Sequence, residues 1–356
     1  MIDHLAKLAV HCYYAGELDA GRRAIDKALR SPDIAEDVEN QIRGNRVWYT
    51  QPLGDLLDVD LRRIDVVPAR ERWTTFNPAL AGDGETMLAI VRSSNYHLTN
   101  GRYEIPPEDG DRIRTENILC RLSWSGDVLE SKPLMVAPYA TNDYPVAGLE
   151  DCRLQRVGSD WWVSATARDV ERFDGRCRIV TGRLDVESGR VGQIISLDGL
   201  SLHHHEKNWM PIEGTGSWIH SCHHEGHVVT VDPDPTMPMG WTMARRSKSP
   251  PVARRFRGGS QLVRVGDRGF LAIVHEVALF GNHRAYEHRF VLFADDLSII
   301  AVTPAFALKE TRCVEFAAGL AVHDERVVVS FGFKDAEAWL ASMDAEALCG
   351  LMTPAW

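Results

Sequence analysis

The chain has 356 residues, of which 44% are hydrophobic and 25% are charged. This composition is typical of a folded globular protein and excludes a disordered or collagen-like one. The net charge of -10 argues against nucleic-acid binding, because phosphate backbones require a basic surface, although a local basic pocket stays possible.

Residues 1–54 are predicted to form a helical segment. Apolar side chains recur at helical spacing in two stretches that Gly16 separates, Ser31-Pro32 ends the second, and a third helix is expected from Ile34 to about Tyr49. The stretch around Gly16 resembles half of a tetratricopeptide helical hairpin. One such unit cannot bury its own apolar face, so we expect it to lean on the rest of the chain, and it is a candidate surface for a protein partner or self-association.

From residue 55 to residue 356 the pattern changes to short strands separated by turns rich in Gly, Asp, Asn and Pro. A brief helix is expected at 336–343. Similar segments begin at Cys152, Asn208, Ser260 and Ala317, and their starts are therefore 56, 52 and 57 residues apart. A more divergent unit begins at Phe76.

These units, with about four strands each, predict an all-β fold, a five-bladed β-propeller preceded by a short α-helical segment. Residues 58–67 are expected to complete the last blade. The alternative is a two-sheet sandwich, although a sandwich would not need such regular spacing.

The first strands of a propeller line its central axis, so residues just before them should meet at one mouth. The ends of the second strands should add further side chains there. The alternative is that these polar residues form turns and salt bridges between blades. The positions before first strands are Asn77, Glu150, Asp151, Arg153, Glu206, Lys207, Asn208, Gly258, Gly259, Ser260 and Glu315, and those at second-strand ends are Arg92, Arg168, Asp169, His220, His275 and Lys334.

The stretch 148–153, Gly-Leu-Glu-Asp-Cys-Arg, resembles the Gly-x-Glu-Asp-Pro-Arg motif of the inverting β-mannoside phosphorylases and hydrolases, glycoside hydrolase family one hundred and thirty. A related family of mannosyltransferases and phosphorylases is similar. The turns at 206–211 and 258–261, the strand ending at His275 and the stretch 286–297 also resemble this family. The resemblance covers about residues 76–352, and Cys152 stands where the family usually has Pro.

The resemblance implies an inverting enzyme that cleaves or forms a β-glycosidic, in particular a β-mannosidic, bond. It implies that Asp151, beside Glu150, is the general acid, that its proton reaches the glycosidic oxygen through a sugar hydroxyl, and that phosphate attacks from the opposite face. No cofactor is expected. Inorganic phosphate or a sugar phosphate would be the co-substrate, and an oligosaccharide would be the other substrate.

A phosphate dianion beside two carboxylates requires cationic donors. The candidates for phosphate or donor binding are Arg153, Arg168, Lys207, Arg257, His275 and Tyr286, and those for sugar binding are Asn77, Arg92, Asn208, Trp209, His220 and Glu315.

Other functions stay open on the sequence. A hydrolase would use a carboxylate base, for which Glu206, Glu276 and Glu315 are candidates. If the donor were a nucleotide sugar, the same site would catalyse glycosyl transfer and the protein would be a transferase. A non-catalytic glycan-binding propeller, with the helices recruiting a partner, is the competing class.

The histidine-rich stretches 203–205 and 220–227 suggest zinc ligands. Gly226 and the flanking strands predict a turn there rather than the helix that His223 and His227 would need, so no metal is expected. Seven scattered cysteines, an odd number without Cys-x-x-Cys spacing, predict reduced thiols in a cytoplasmic protein. Neither a signal peptide nor a membrane span is expected.

Overall fold

The computed structural model describes residues 2–99, 101–170, 175–197, 204–234, 240–280 and 283–356. These residues form a mostly β structure, as predicted, and no helix among them is long and apolar enough to span a membrane. The α-helices are α1 (Ile2–Ala15), α2 (Leu18–Leu29), α3 (Glu36–Arg46) and α4 (Ala345–Gly350).

The strands occupy most of the chain after α3. In chain order they are β1 (Gln51–Pro52), β2 (Val59–Arg63), β3 (Thr74–Asp83), β4 (Thr86–Ser94), β5 (His97–Thr99), β6 (Arg102–Glu104), β7 (Ile113–Leu122), β8 (Val128–Val136), β9 (Val146–Ala147), β10 (Glu150–Val157), β11 (Asp160–Ala167), β12 (Arg178–Asp185), β13 (Arg190–Val191), β14 (Ile195–Ser196), β15 (Met210–Ile212), β16 (Ser217–His224), β17 (His227–Asp234), β18 (Gly240–Lys248), β19 (Arg257–Gly258), β20 (Val263–Arg264), β21 (Phe270–Phe280), β22 (His283–Phe293), β23 (Ile299–Val302), β24 (Phe306–Ala307), β25 (Glu315–His323), β26 (Arg326–Phe333), β27 (Glu337–Asp344) and β28 (Thr353–Pro354).

The helical segment has the elements that its apolar spacing predicts. Gly16, whose φ is 77°, makes the turn between α1 and α2. The apolar faces of the helices meet in one cluster that includes Ala9, Ile25, Leu29 and Ile42. Helix α3 is shorter than predicted at both ends, since it begins at residue 36 and ends at residue 46.

The strands pair mainly as successive antiparallel units in chain order. These are β3-β4-β7-β8, β10-β11-β12, β15-β16-β17-β18, β21-β22-β23 with β19 and β20 on the β21 edge, and β25-β26-β27. β2 pairs with β27 in the register Val59↔Met343, so the segment before the first unit completes the last one, as predicted. The short parallel pairing of β13 with β8 joins the first two units into a ten-stranded sheet.

The helix expected at 336–343 is wrong, because Glu337–Asp344 is strand β27. Its backbone pairs with β26 on one side and β2 on the other. A short apolar run satisfies helical and strand spacing equally well, and the strand form wins because both of its edges find partners. The helix at this end of the chain is α4, which begins one residue after β27.

Helix α3 is anchored to the hairpin of β21 and β22 by buried charges. Arg46 lies 3.0 Å from Glu276 and 2.6 Å from Glu287, measured between nitrogen and oxygen atoms. Arg43 also pairs with Glu276, and Arg289 lies 3.2 Å from the same carboxylate. All five side chains are buried, so the charges are compensated within the network and each depends on its partners.

Candidate active site

Equivalent residues of successive units meet at one end of the sheets. Asn77 and Asp151 both lie at irregularities in strand pairing near the start of a unit's first strand, with φ values of 46° and 49°. Asn208 precedes β15 with a φ of 62°. Asn and Asp adopt this left-handed conformation more readily than other residues that carry a Cβ, which explains their recurrence at these positions.

Asp151 is held by side chains of the first unit. The Asn77 Nδ2 donates to Asp151 Oδ1 at 2.9 Å, and Arg92 Nη1 lies 3.1 Å from the same oxygen. Arg92 also donates to Glu150, and its guanidinium lies 5.0 Å from the centre of the Phe76 ring. The predicted acid, its neighbouring carboxylate and two predicted sugar-binding residues are therefore in direct contact.

The pKa of Asp151 reflects two opposing effects. Burial alone would raise this pKa, but the charges of Arg92 and Arg153 and the hydrogen bond from Asn77 outweigh it, so the pKa lies below its usual value. The Asp151 carboxylate is therefore ionised at neutral pH before any substrate binds. In that state it can accept a proton or a hydrogen bond from a sugar hydroxyl.

Asp335 is a residue of this cluster that the sequence reasoning missed. Its Oδ2 accepts a hydrogen bond from Tyr96 Oη at 3.2 Å. Burial raises the Asp335 pKa to about 6, Arg92 opposes this, and the charge of Asp151 adds to it. Sequence reasoning selected the preceding residue, Lys334, whose ammonium lies 2.8 Å from the Glu310 carboxylate. The signal that could have identified Asp335 is an acidic side chain at the end of a second strand.

A basic cavity of about 580 Å³ lies beside the carboxylates. Cys177 lies in the wall of this cavity, and its thiol senses both the cations and the carboxylates. Burial raises the pKa of the thiol, Arg168 and Lys207 lower it, and Glu150 and Asp151 raise it. Among the described residues, no carboxylate lines this cavity. The lining is Arg168, Cys177, His205, Lys207, Asn208, Met210, Ile219, His220, Ser221, Cys222, Phe256, Arg257 and Gly258.

In the part of the chain that the structure describes, three arginine and lysine side chains line the cavity, and they are held differently. Arg168 is fixed, because its Nε donates to the Gly175 carbonyl and its Nη2 to Tyr144 Oη, both at 2.8 Å. The side chains of Lys207 and Arg257 are exposed. The cavity thus combines one oriented guanidinium with two cationic side chains that have room to adjust to an anion.

Arg153 supports the turn of Asp151 rather than the cavity. It is buried, donates to the carbonyls of Asp151 at 2.6 Å and Cys152 at 3.0 Å, and also donates to the Gly259 carbonyl. Its guanidinium lies 5.1 Å from the centre of the Phe316 ring. Arg153 therefore fixes the backbone beneath the carboxylate and lowers the Asp151 pKa, although it was predicted to bind phosphate.

His275 and Tyr286 stack on neighbouring strands, with ring centres 5.3 Å apart and planes 23° apart. His275 is the strand-register partner of Arg257, which lines the cavity. Burial and the nearby His288 and cations hold the His275 pKa well below its usual value, so this imidazole is neutral at neutral pH. Its Nδ1 is buried without a hydrogen-bond partner among the described residues.

Glu206, Trp209 and His220 form one small cluster at the cavity edge. Glu206 Oε2 lies 3.1 Å from Trp209 Nε1, which donates to it, and 3.2 Å from His220 Nε2. Trp209 is only 2% exposed, so its ring offers no open face on which a sugar could stack. Its position supports His220 at the cavity wall.

Glu315 is fully buried and closes a loop. Its carboxylate accepts hydrogen bonds from the backbone amides of Leu308, Lys309 and Glu310 at 2.6, 2.9 and 2.7 Å. It was predicted both as a sugar-binding residue and as a hydrolytic base, and it lies outside the residues that line the cavity. Glu276 is similarly engaged by the arginines that anchor α3.

Asp169 supports the turn that presents Glu150 and Asp151. Its Oδ2 accepts from the Gly148 amide at 3.0 Å and from Tyr139 Oη at 3.1 Å. Gly148 has a φ of 94°, and a Cβ there would lie 2.2 Å from the Thr115 carbonyl oxygen. Only glycine fits this position, which accounts for the first residue of the motif at 148–153.

The histidine-rich stretches form no metal site within the described part of the chain, where no three His, Cys, Asp or Glu side chains are grouped to hold a metal ion. His203 lies outside the described residues. His223 and His227 lie on the hairpin of β16 and β17.

No protein-family model matches the chain, and no curated protein sequence matches it. Solved structures do. The β-1,2-mannobiose phosphorylase from Listeria innocua superimposes with a TM-score of 0.55 at 14% identity, over 83% of this chain and 99% of that chain. A glycosyl hydrolase from Bacteroides ovatus gives 0.54 at 13% identity, over 83% and 97%.

A third structure gives a TM-score of 0.55 at 13% identity, over 83% of this chain and 97% of that chain. It was described in a report that the GH130 family of mannoside phosphorylases contains glycoside hydrolases that target β-1,2 mannosidic linkages in Candida mannan. These likenesses show that this chain shares its fold with mannoside phosphorylases and glycosyl hydrolases. The shared fold is consistent with the expected propeller, and its five blades stay a prediction.

Proposed function

We propose that the chain is an inverting glycoside phosphorylase that cleaves or forms a β-mannosidic bond, with inorganic phosphate or mannose 1-phosphate as co-substrate. The sheet units would be the blades of a five-bladed β-propeller, and residues 1–54 a tetratricopeptide-like appendage. The observation that carries the proposal is the basic cavity beside Asp151, which has cationic and neutral lining but, among the described residues, no carboxylate.

This lining favours phosphorolysis over hydrolysis. An inverting hydrolase needs a second carboxylate to activate water opposite the acid. The predicted bases are already engaged, because Glu206 is bound to Trp209 and His220 at the cavity edge, while Glu276 and Glu315 are buried in contacts outside the cavity. Cationic side chains in that position would instead attract and orient a phosphate dianion.

Asp151 would serve both directions of the reaction. In synthesis its ionised carboxylate accepts the proton of the acceptor hydroxyl, through a sugar hydroxyl, while the acceptor oxygen bonds to the anomeric carbon and phosphate leaves. In cleavage a phosphate oxygen bonds to the anomeric carbon, the glycosidic bond breaks, and the same carboxyl returns a proton to the leaving oxygen. The lowered pKa of Asp151 means that the free enzyme carries this carboxylate in the ionised form that the synthetic direction starts from.

The direct test is phosphate release from a panel of sugar 1-phosphates offered with mannose, glucose and short β-1,2-linked mannosides as acceptors. We expect release from mannose 1-phosphate, with a disaccharide as the second product. A hydrolase would instead cleave β-1,2-mannobiose without phosphate, and a glycan-binding protein would bind the sugars without turnover. A GDP-mannose donor in the same panel tests the transferase.

Replacing Lys207 with alanine should raise KM for phosphate about tenfold or more, because a charge-assisted hydrogen bond contributes about 1.5–3 kcal/mol. The KM for the mannoside should change much less. Initial rates at varied phosphate concentrations measure both constants. Lys132→Ala, which removes an ammonium paired with Glu130 on another unit, is the matched control. Equal effects of the two substitutions on the KM for phosphate would contradict the assignment of Lys207.

The rate of cleavage should fall as pH rises above about 6. Asp335 has a pKa raised to about 6 and lies in the same charge cluster as Glu150 and Asp151, so the cluster loses a proton in this range. Cleavage needs a proton that Asp151 gives to the leaving oxygen, so loss of a proton from this cluster should slow cleavage. Asp335→Asn should remove this limb from the profile of kcat/KM against pH, and an unchanged limb would assign the titration to another group.

A further inference from the structure

Three aromatic side chains on the helical segment lie together and are exposed. Tyr14 is 85% exposed, Trp48 45% and Tyr13 38%. The ring centre of Tyr13 lies 5.7 Å from that of Tyr14 and 6.0 Å from that of Trp48. A single exposed aromatic residue is ordinary, but three in contact form a patch that suggests binding.

This aromatic patch adjoins the loop beside the candidate site. The guanidinium of Arg312 lies 5.1 Å from the centre of the Trp48 ring. The next residue, Cys313, accepts a hydrogen bond through its carbonyl from the amide of Tyr286 at 3.0 Å. Tyr286 stacks on His275. A chain of contacts therefore leads from His275 to the exposed rings.

The patch is held in place from beneath. Tyr13 also contacts Tyr49, whose ring centre lies 5.7 Å away and whose hydroxyl donates to the Ala9 carbonyl. Helix α3, which ends two residues before Trp48, is anchored by Arg43 and Arg46 to the hairpin that carries Tyr286. A ligand would therefore meet rings whose supports are already ordered, which lowers the entropic cost of binding.

The chemistry of the patch fits a sugar chain. Aromatic rings offer flat apolar faces to the C–H faces of sugar rings, while the two tyrosine hydroxyls can bond to sugar hydroxyls. A stable protein partner needs an interface of about 1,200 Å² or more in total, much more than three side chains supply. Only an oligosaccharide longer than a disaccharide could occupy the cavity and the patch together.

We propose that Tyr13, Tyr14 and Trp48 form a distal glycan-binding site, which holds the far end of an oligosaccharide whose near end occupies the cavity. The mannoside identity of that glycan rests on the proposed function. The helical segment would then select long substrates, a role distinct from the chemistry at Asp151.

Calorimetric titration of the full-length protein with β-1,2-linked mannobiose and mannohexaose tests this site. We expect wild type to bind the hexaose about tenfold more tightly than the disaccharide. The double variant Tyr14→Ala/Trp48→Ala should lose that advantage and keep its affinity for mannobiose. Trp356→Ala removes an aromatic side chain that is 65% exposed on another part of the surface, and it should bind both sugars like wild type.

Equal affinity of wild type for the two sugars, or no binding of the hexaose, would overturn the distal site. So would a wild-type dimer in sedimentation analysis that the double variant dissociates without any change in hexaose affinity, because the patch would then join two copies of the chain. The proposed function fails separately, through the absence of phosphate-dependent turnover of mannobiose, and the binding experiment does not depend on turnover.

Discussion

Asp151→Asn should lower kcat for β-mannoside phosphorolysis about a thousandfold, within the range by which a positioned acid or base contributes to catalysis. The substitution keeps the shape of the side chain and an oxygen that can accept from Asn77 and Arg92. It removes the group that gives and takes the proton. The loss should therefore appear in kcat in both directions.

Asp83→Asn is the matched control for this experiment. Asp83 pairs with Arg121 at 2.9 Å at the other end of the first unit, at the turn between β3 and β4. The control should retain wild-type kcat within about twofold, since surface substitutions of this kind change little. A kcat for Asp151→Asn within tenfold of wild type would contradict the role of Asp151 in proton transfer.

Arg46→Met should lower the free energy of unfolding by about 3–5 kcal/mol, because it leaves buried carboxylates without a counter-charge. Arg46 contacts both Glu276 and Glu287, and Glu287 has no other arginine within the ion pairs of the described residues. The substitution should weaken the contact between α3 and the hairpin of β21 and β22. Equilibrium unfolding in urea measures it.

Arg183→Met is the control, because it removes an exposed ion pair on the hairpin of β11 and β12, away from this network. Arg183 lies 2.7 Å from Asp160, and the pair is exposed to solvent. An exposed pair contributes about 0–1 kcal/mol, so this variant should unfold close to wild type. If the two variants are equally stable, the buried charges do not anchor the helices as described.

The sequence predicted the fold better than it predicted individual elements. The regular spacing of units identified the succession of antiparallel sheets, and the polar turns located most strand ends. The pairing of β2 with β27 followed from the need to complete the last unit. The strand at 337–344 was mistaken for a helix, because the partners that decide its conformation lie far away in sequence.

The regular spacing of the units also allowed part of the site to be predicted. The rule of looking just before the first strands selected Asn77 and Asp151, which do lie together, although both lie within β3 and β10 rather than before them. The end of a second strand supplied Arg92. The same rule does not give the direction or partners of a side chain. Glu315 satisfies it too, yet its carboxylate is used by three backbone amides. The anchoring of α3 was invisible in sequence, since its charged partners are more than 200 residues apart.

The most direct test of the central claim is to incubate the protein with β-1,2-mannobiose, with and without inorganic phosphate, and to follow the products by phosphorus and proton NMR. The account predicts α-mannose 1-phosphate and mannose in equal amounts, formed only when phosphate is present, because attack opposite the leaving oxygen inverts the anomeric centre. Mannose released at the same rate without phosphate, and with no sugar phosphate formed, would contradict it.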